Sequence, residues 1–197
     1  MLNIEDTIGV GHSTGAVVMT LAAKEAPERF NRLVLMEPMI VVGEEFQRMV
    51  SKADRPHHPR RTWPSKEALY NYLKQHPTTG RWREDVIQDV VNFETVELPQ
   101  GSIDMKWADA TMSWTEREGD YIDLRPVFRE VDLPFLFIAS GDRRNTFEDL
   151  ETLISEIPGF HAITIDHTGH NMYMERPDAV SHAIQLFVSG EDLPASI

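Results

Sequence analysis

A short apolar run, Thr7 to Gly11, leads directly into Gly11-His12-Ser13-Thr14-Gly15 and then into apolar residues at helical spacing. This succession restricts the fold more than any other feature of the chain. Thr-Ile-Gly-Val-Gly reads as a buried strand. From Ala16 to Ala26 the spacing predicts a helix, with Val17, Val18, Leu21 and Ala22 on one face and Pro27 at its end. Leu33 to Met36 is a second buried strand, stopped by Pro38. Strand, tight turn, helix and strand make a βαβ unit, whose two strands run parallel.

The same alternation returns late in the chain. After Pro134, Phe135–Ala139 is a buried strand, followed by a helix over roughly 146–156 and a strand at His161–Ile165. An amphipathic helix from Pro177 to Val188 then places Val180, Ile184, Phe187 and Val188 on one face. Residues from about 40 to 130 differ in character. Charged helical stretches at Ser65–Gln75 and Arg83–Phe93 alternate with proline-rich breaks, and Val96–Trp107 reads as a hairpin around Pro99 and Gly101. All four tryptophans, Trp63, Trp82, Trp107 and Trp114, fall here. The expected organisation is an α/β core in two pieces, 1–39 and 131–197, interrupted by a mainly helical insertion over 40–130.

Bulk properties exclude several function classes. The formal charge of −13 opposes nucleic-acid binding, which needs a basic surface to neutralise phosphates. With no cysteine there is no disulfide, thiol nucleophile or thiolate metal site. No apolar run approaches a membrane span, and the N-terminus lacks a basic and apolar signal region, so the expected location is cytoplasmic. No metal motif, glycine-rich phosphate loop or cofactor lysine is present, and no cofactor is expected.

Gly11-His12-Ser13-Thr14-Gly15 fits G-x-S-x-G in the strand-to-helix context that gives that pattern meaning. A turn this sharp holds its serine in a strained conformation and pushes Oγ out above the sheet, near the positive end of the helix. Small residues at Gly11 and Gly15 are expected to let strand and helix approach closely. The Thr14 backbone N–H is then placed to meet an oxyanion. The alternative is a helix cap without chemistry. With these flanking elements, and the segment Ala26-Pro-Glu-Arg-Phe-Asn-Arg-Leu-Val-Leu after them, the chain resembles the α/β-hydrolase superfamily. That resemblance implies the C-terminal half of an α/β-hydrolase parallel sheet, with the 40–130 insertion as its cap.

A serine nucleophile needs a base. Thr168-Gly169-His170, followed by Met174-Glu175-Arg176-Pro177 and the last helix, resembles the family's histidine loop, which implies His170 as the base. His167, three residues upstream, is the rival. His12 sits beside the serine and is expected to point elsewhere, and His57, His58, His76, His161 and His182 carry no motif. For the acid, the resemblance points to the turn after Phe135–Ala139, where Asp142 in Ser140-Gly141-Asp142-Arg143-Arg144-Asn145 is the first choice. The family often spaces its Gly and Asp more widely, and Arg144 occupies such a position here. Some relatives place the acid after the preceding strand, which makes Glu37 the alternative.

The family's second oxyanion donor comes from a loop upstream of the serine, and only twelve residues precede Ser13. Each such donor is worth about 3 kcal/mol. The expectation is therefore an N-terminally truncated chain whose first strand is an open sheet edge, with self-association through that edge. The function implied is hydrolysis of a carboxylic ester, thioester or lactone through an acyl-enzyme. Met105, Trp107, Met112 and Trp114 suggest a small-molecule substrate with an apolar portion, although any one of them taken singly is more readily a core residue of the insertion. The alternative is a non-catalytic hydrolase-like binding or regulatory protein.

Overall fold

The structure, a computed structural model, describes residues 5–38, 61–106, 124–142 and 156–197. The predicted helix over 146–156 lies almost wholly outside them. Two compact units emerge, one from Met1–Val41 with Ile122–Ile197 and one from Val42–Tyr121.

In the first unit, β1 (Thr7–His12) leads through Ser13 into α1 (Thr14–Glu25) and then β2 (Phe30–Met36). The chain returns with α4 (Leu124–Glu130), β5 (Phe135–Ser140), β6 (Phe160–Ile165), a short α5 (Met172–Glu175) and α6 (Pro177–Ser189). The strands form one parallel sheet in the order β1-β2-β5-β6. Alternate residues of a strand face opposite ways, and β2 and β5 are apolar on both sides. Leu33, Leu35, Phe135 and Phe137 pack with Ala16, Ala23, Leu124 and Phe128 on one face. Val34, Met36, Leu136 and Ile138 pack with Met172, Val180, Ala183 and Phe187 on the other. Helices on both faces of a parallel sheet are the α/β arrangement that the sequence implied.

Two helical faces differ from expectation. The side of α1 that is buried consists of Ala16, Thr20 and Ala23, whereas Val18 is 53% exposed. Small side chains let the helix lie close to the sheet, and Thr20 Oγ1 donates to Ala16 O at 2.9 Å, so the buried hydroxyl is satisfied. On α6 the buried set is Ala179, Val180, Ala183 and Phe187, while Val188 is exposed.

The described sheet has two different edges. Along β6, the Thr164 N–H donates to Ala195 O and the Thr164 C=O accepts the Ile197 N–H, so the last residues cover that side. Along β1, Ile8 and Val10 are exposed. No helix among the described residues is long and apolar enough to cross a membrane.

The second unit, over its described residues, contains α2 (Lys66–Gln75), α3 (Glu84–Phe93) and an antiparallel hairpin of β3 (Thr95–Glu97) and β4 (Ile103–Met105). Ser65 Oγ caps α2 by accepting Ala68 N–H at 3.1 Å. Leu69, Leu73, Ile87, Val91 and Ile103 form its core, and Trp63, Trp82 and Met105 pack against them. Met105 therefore serves packing within this unit. Trp107, Met112 and Trp114 lie outside the described residues.

Candidate active site

The C-terminal ends of the strands carry the site. At the end of β1, Ser13 has φ 52° and ψ −121°, a left-handed conformation costing a non-glycine residue about 1–3 kcal/mol. Its N–H donates to Met36 O at 2.9 Å, and its C=O accepts Ala16 N–H at 3.0 Å. These bonds tie the turn to β2 on one side and to α1 on the other. The Ser13 side chain makes no capping bond to α1, so its hydroxyl is not used as a helix cap. Thr14 opens the helix, and its N–H is one of the first-turn groups that have no partner inside a helix.

Only one of the two flanking glycines is sterically required among the described residues. A Cβ on Gly11 would sit 2.5 Å from Gly15 O and 2.6 Å from Ala16 Cα. A Cβ on Gly15 would meet nothing within 4 Å. Of these two glycines, Gly11 and not Gly15 is the one that the close approach of strand and helix requires, a correction to the expectation for Gly15.

His170 lies on the loop between β6 and α5, which is pinned at several points. Thr168 Oγ1 donates to Ile165 O at 2.6 Å, and the Asp142 N–H donates to Thr168 O at 3.0 Å. The Gly169 N–H is shared between both carboxylate oxygens of Glu175, each at 3.1 Å. Glu175 belonged to the histidine-loop motif without an assigned role, and its role here is to clamp the loop. His167 occupies a left-handed turn position with φ 59° and is exposed. His76, His161 and His182 lie elsewhere: at the end of α2, against Phe187, and exposed on α6. His57 and His58 fall outside the described residues.

The carboxylate found against the His170 ring is Glu37. Its Oε2 lies 3.5 Å from His170 Nδ1, and its Oε1 accepts the Ser140 N–H at 2.7 Å. Glu37 is 3% exposed, follows β2 directly, and has φ 45°. Its own N–H donates to Ile138 O at 3.0 Å. A buried carboxylate is tolerated only with such partners, and here it has a backbone N–H and an imidazole. Asp142, the first choice from sequence, is exposed two residues beyond β5. Its turn reaches the histidine loop through the main chain instead. A Cβ on Gly141 would lie 2.8 Å from His167 N, so the two loops pack backbone to backbone.

His12 points toward the histidine loop. Its Nε2 lies 2.8 Å from His170 O, and the two rings are 4.5 Å apart between centroids. Tyr173 closes the other side of the His12 ring at 4.8 Å, edge-on. Burial pushes the His12 imidazole below its ordinary value, and the carbonyl bond opposes that shift. Burial likewise raises the Tyr173 hydroxyl. The turn at Ser13, the loop that carries His170 and the buried Glu37 carboxylate therefore meet at one end of the sheet.

Residues 2–183 match the family described as "Alpha/beta hydrolase family". A curated relative from Haemophilus influenzae, named "Putative esterase/lipase", is 26% identical over 194 residues, covering 95% of this chain and 62% of the relative. The chain thus spans a little under two thirds of that relative's length. Among solved structures, E-2-(acetamidomethylene)succinate hydrolase superposes with a TM-score of 0.75 at 19% identity, over 94% of this chain and 67% of its own. An M. tuberculosis esterase gives 0.72 at 19% identity, over 92% and 62%. A thioesterase domain from the curacin biosynthetic pathway gives 0.70 at 18%, over 95% and 68%. These three likenesses are likenesses of fold.

Proposed function

The chain belongs to the alpha/beta hydrolase family, and from that premise we propose that it hydrolyses ester-like bonds with Ser13 as nucleophile, His170 as base and Glu37 as acid. The observation that carries this reading is the buried Glu37 carboxylate beside His170 Nδ1, on the loop that His12 bonds, one residue from Ser13. The esterase/lipase name of the curated relative supports the choice of an ester-like bond.

In this mechanism His170 Nε2 accepts the Ser13 hydroxyl proton as Oγ attacks the acyl carbon. Glu37 accepts a hydrogen bond from the Nδ1–H, which fixes the tautomer and stabilises the imidazolium that forms. The Thr14 N–H, at the positive end of α1, takes the developing oxyanion. Collapse of the tetrahedral intermediate breaks the bond to the leaving alkoxide or thiolate, which takes the proton from His170. A water then gives a proton to His170 and attacks the acyl-Ser13, releasing the carboxylic acid and restoring the serine.

A fluorophosphonate probe tests this reading. Ser13 in the folded chain becomes covalently modified, peptide mapping finds the adduct there, and Ser13→Ala removes it. A folded chain that leaves Ser13 unmodified sinks the catalytic reading and favours a non-catalytic binding protein.

A further inference from the structure

In the sheet order β1-β2-β5-β6, the strand that ends at Ser13 and the strand that leads to His170 occupy opposite edges. Among the described residues no ladder bond joins them, so their relative position is relayed through three strand pairings. Bonds at the strand ends reinforce the relay: Ser13 N–H to Met36 O, Glu37 N–H to Ile138 O, and Ser140 N–H to Glu37 Oε1. The His12 side chain skips it, reaching from the residue before Ser13 to the carbonyl of His170 itself, across 158 positions in sequence.

We propose that His12 is a positioning residue that fixes His170 relative to Ser13 by donating its Nε2–H to the His170 carbonyl. This rests on the reading of Ser13 and His170 as nucleophile and base, and adds to it what holds the two in register. The chemistry of the contact determines the tautomer. A carbonyl oxygen can only accept, so the His12 proton sits on Nε2 and Nδ1 is bare in the neutral ring. The ring is held for this task between His170 and Tyr173. Burial favours the neutral form, which keeps a second cation away from the imidazolium that catalysis makes of His170.

Two readouts test it. In the 15N-histidine ring spectrum of the intact chain near neutral pH, His12 shows a protonated Nε2 and an unprotonated Nδ1; the opposite tautomer overturns the proposal. In kinetics, His12→Phe keeps an aromatic ring and loses the donor, and His12→Gln keeps an N–H at similar reach. The second-order rate of Ser13 labelling by the fluorophosphonate falls about tenfold to a hundredfold in His12→Phe, the scale of a misplacement of about 1 Å. His12→Gln recovers most of that loss. Equal rates in the two folded variants overturn the proposal, whether both are slow or both match the parent. If His12→Phe does not fold, His12→Gln and the ring spectrum decide. If the parent chain itself does not label, the nucleophile–base reading has failed, and the tautomer alone judges the His12 bond.

Discussion

The turn after β2 and the turn after β5 each set a carboxylate within two residues of a strand end, at the same end of the sheet. Their environments differ. Glu37 is buried, held in a left-handed conformation, and shares its two oxygens between the Ser140 N–H and the His170 ring. Asp142 is exposed, and its turn contributes a main-chain bond to Thr168. Sequence position relative to a strand does not distinguish the two carboxylates. What distinguishes them is that the turn after β2 folds inward, where the Ser140 N–H and the His170 ring meet the buried carboxylate as burial requires.

The largest expected effect breaks this comparison directly. Glu37→Gln keeps an oxygen for Ser140 and removes the charge that stabilises the His170 imidazolium. Ser13 labelling by a fluorophosphonate should fall by about 10³- to 10⁴-fold, as when the acid of a serine–histidine–aspartate site is made an amide. Asp142→Asn should change the rate by about twofold at most, the scale of a surface substitution. Rates measured side by side decide. A large loss in Asp142→Asn with a small one in Glu37→Gln would reverse the assignment of roles.

A smaller effect separates structure from chemistry at the same two turns. Glu37→Leu is apolar and of similar length, and leaves the buried Ser140 N–H without its acceptor. The cost of such an orphaned group is about 1–3 kcal/mol. Asp142→Ala should stay within about 0.5 kcal/mol of the parent. Urea unfolding midpoints measure both, with Glu37→Gln expected near the parent because its amide oxygen can still accept. If Glu37→Leu unfolds at the parent's midpoint, the Ser140 bond contributes nothing to stability and the two turns do not differ in this respect.

Much of this organisation is legible in the sequence where a pattern forces it. Apolar runs such as Leu33–Met36 and Phe135–Ala139 mark strands covered on both faces, and Gly11-His12-Ser13-Thr14-Gly15 marks the strained turn. The errors share one physical origin, the direction in which a side chain or turn points. On α1 the large residue Val18 is exposed and small Ala16 and Ala23 are buried, because the helix lies close to the sheet. Met36-Glu37-Pro38 gives no sign that Glu37 turns back over β5. Nothing local to His12 shows that its ring reaches a loop far along the chain. The Glu175 clamp was within reach, as the Glu-x-Pro pattern placed an acid a short turn after Gly169.

The smallest effect concerns the His12 ring, which feels one turn and not the other. Burial lowers its affinity for a proton, the nearby His170 acts in the same direction, and the Glu37 charge and the carbonyl bond oppose both. Removing the charge with Glu37→Gln should therefore lower the His12 midpoint further, while Asp142→Asn leaves it in place. Ring titration by NMR reads both. The consequence for stability has a definite sign. An unfolded histidine titrates near about 6.5, above the folded value, so between the two the unfolded chain binds more protons. This group's contribution is therefore intact above that window and lost as the pH falls through it. Glu37→Gln widens the window downward, steepening the acid side of the stability curve, and His12→Gln removes that slope. A His12 midpoint that ignores Glu37→Gln would mean that the carboxylate is not charged beside these rings, and the case for Glu37 over Asp142 would go with it.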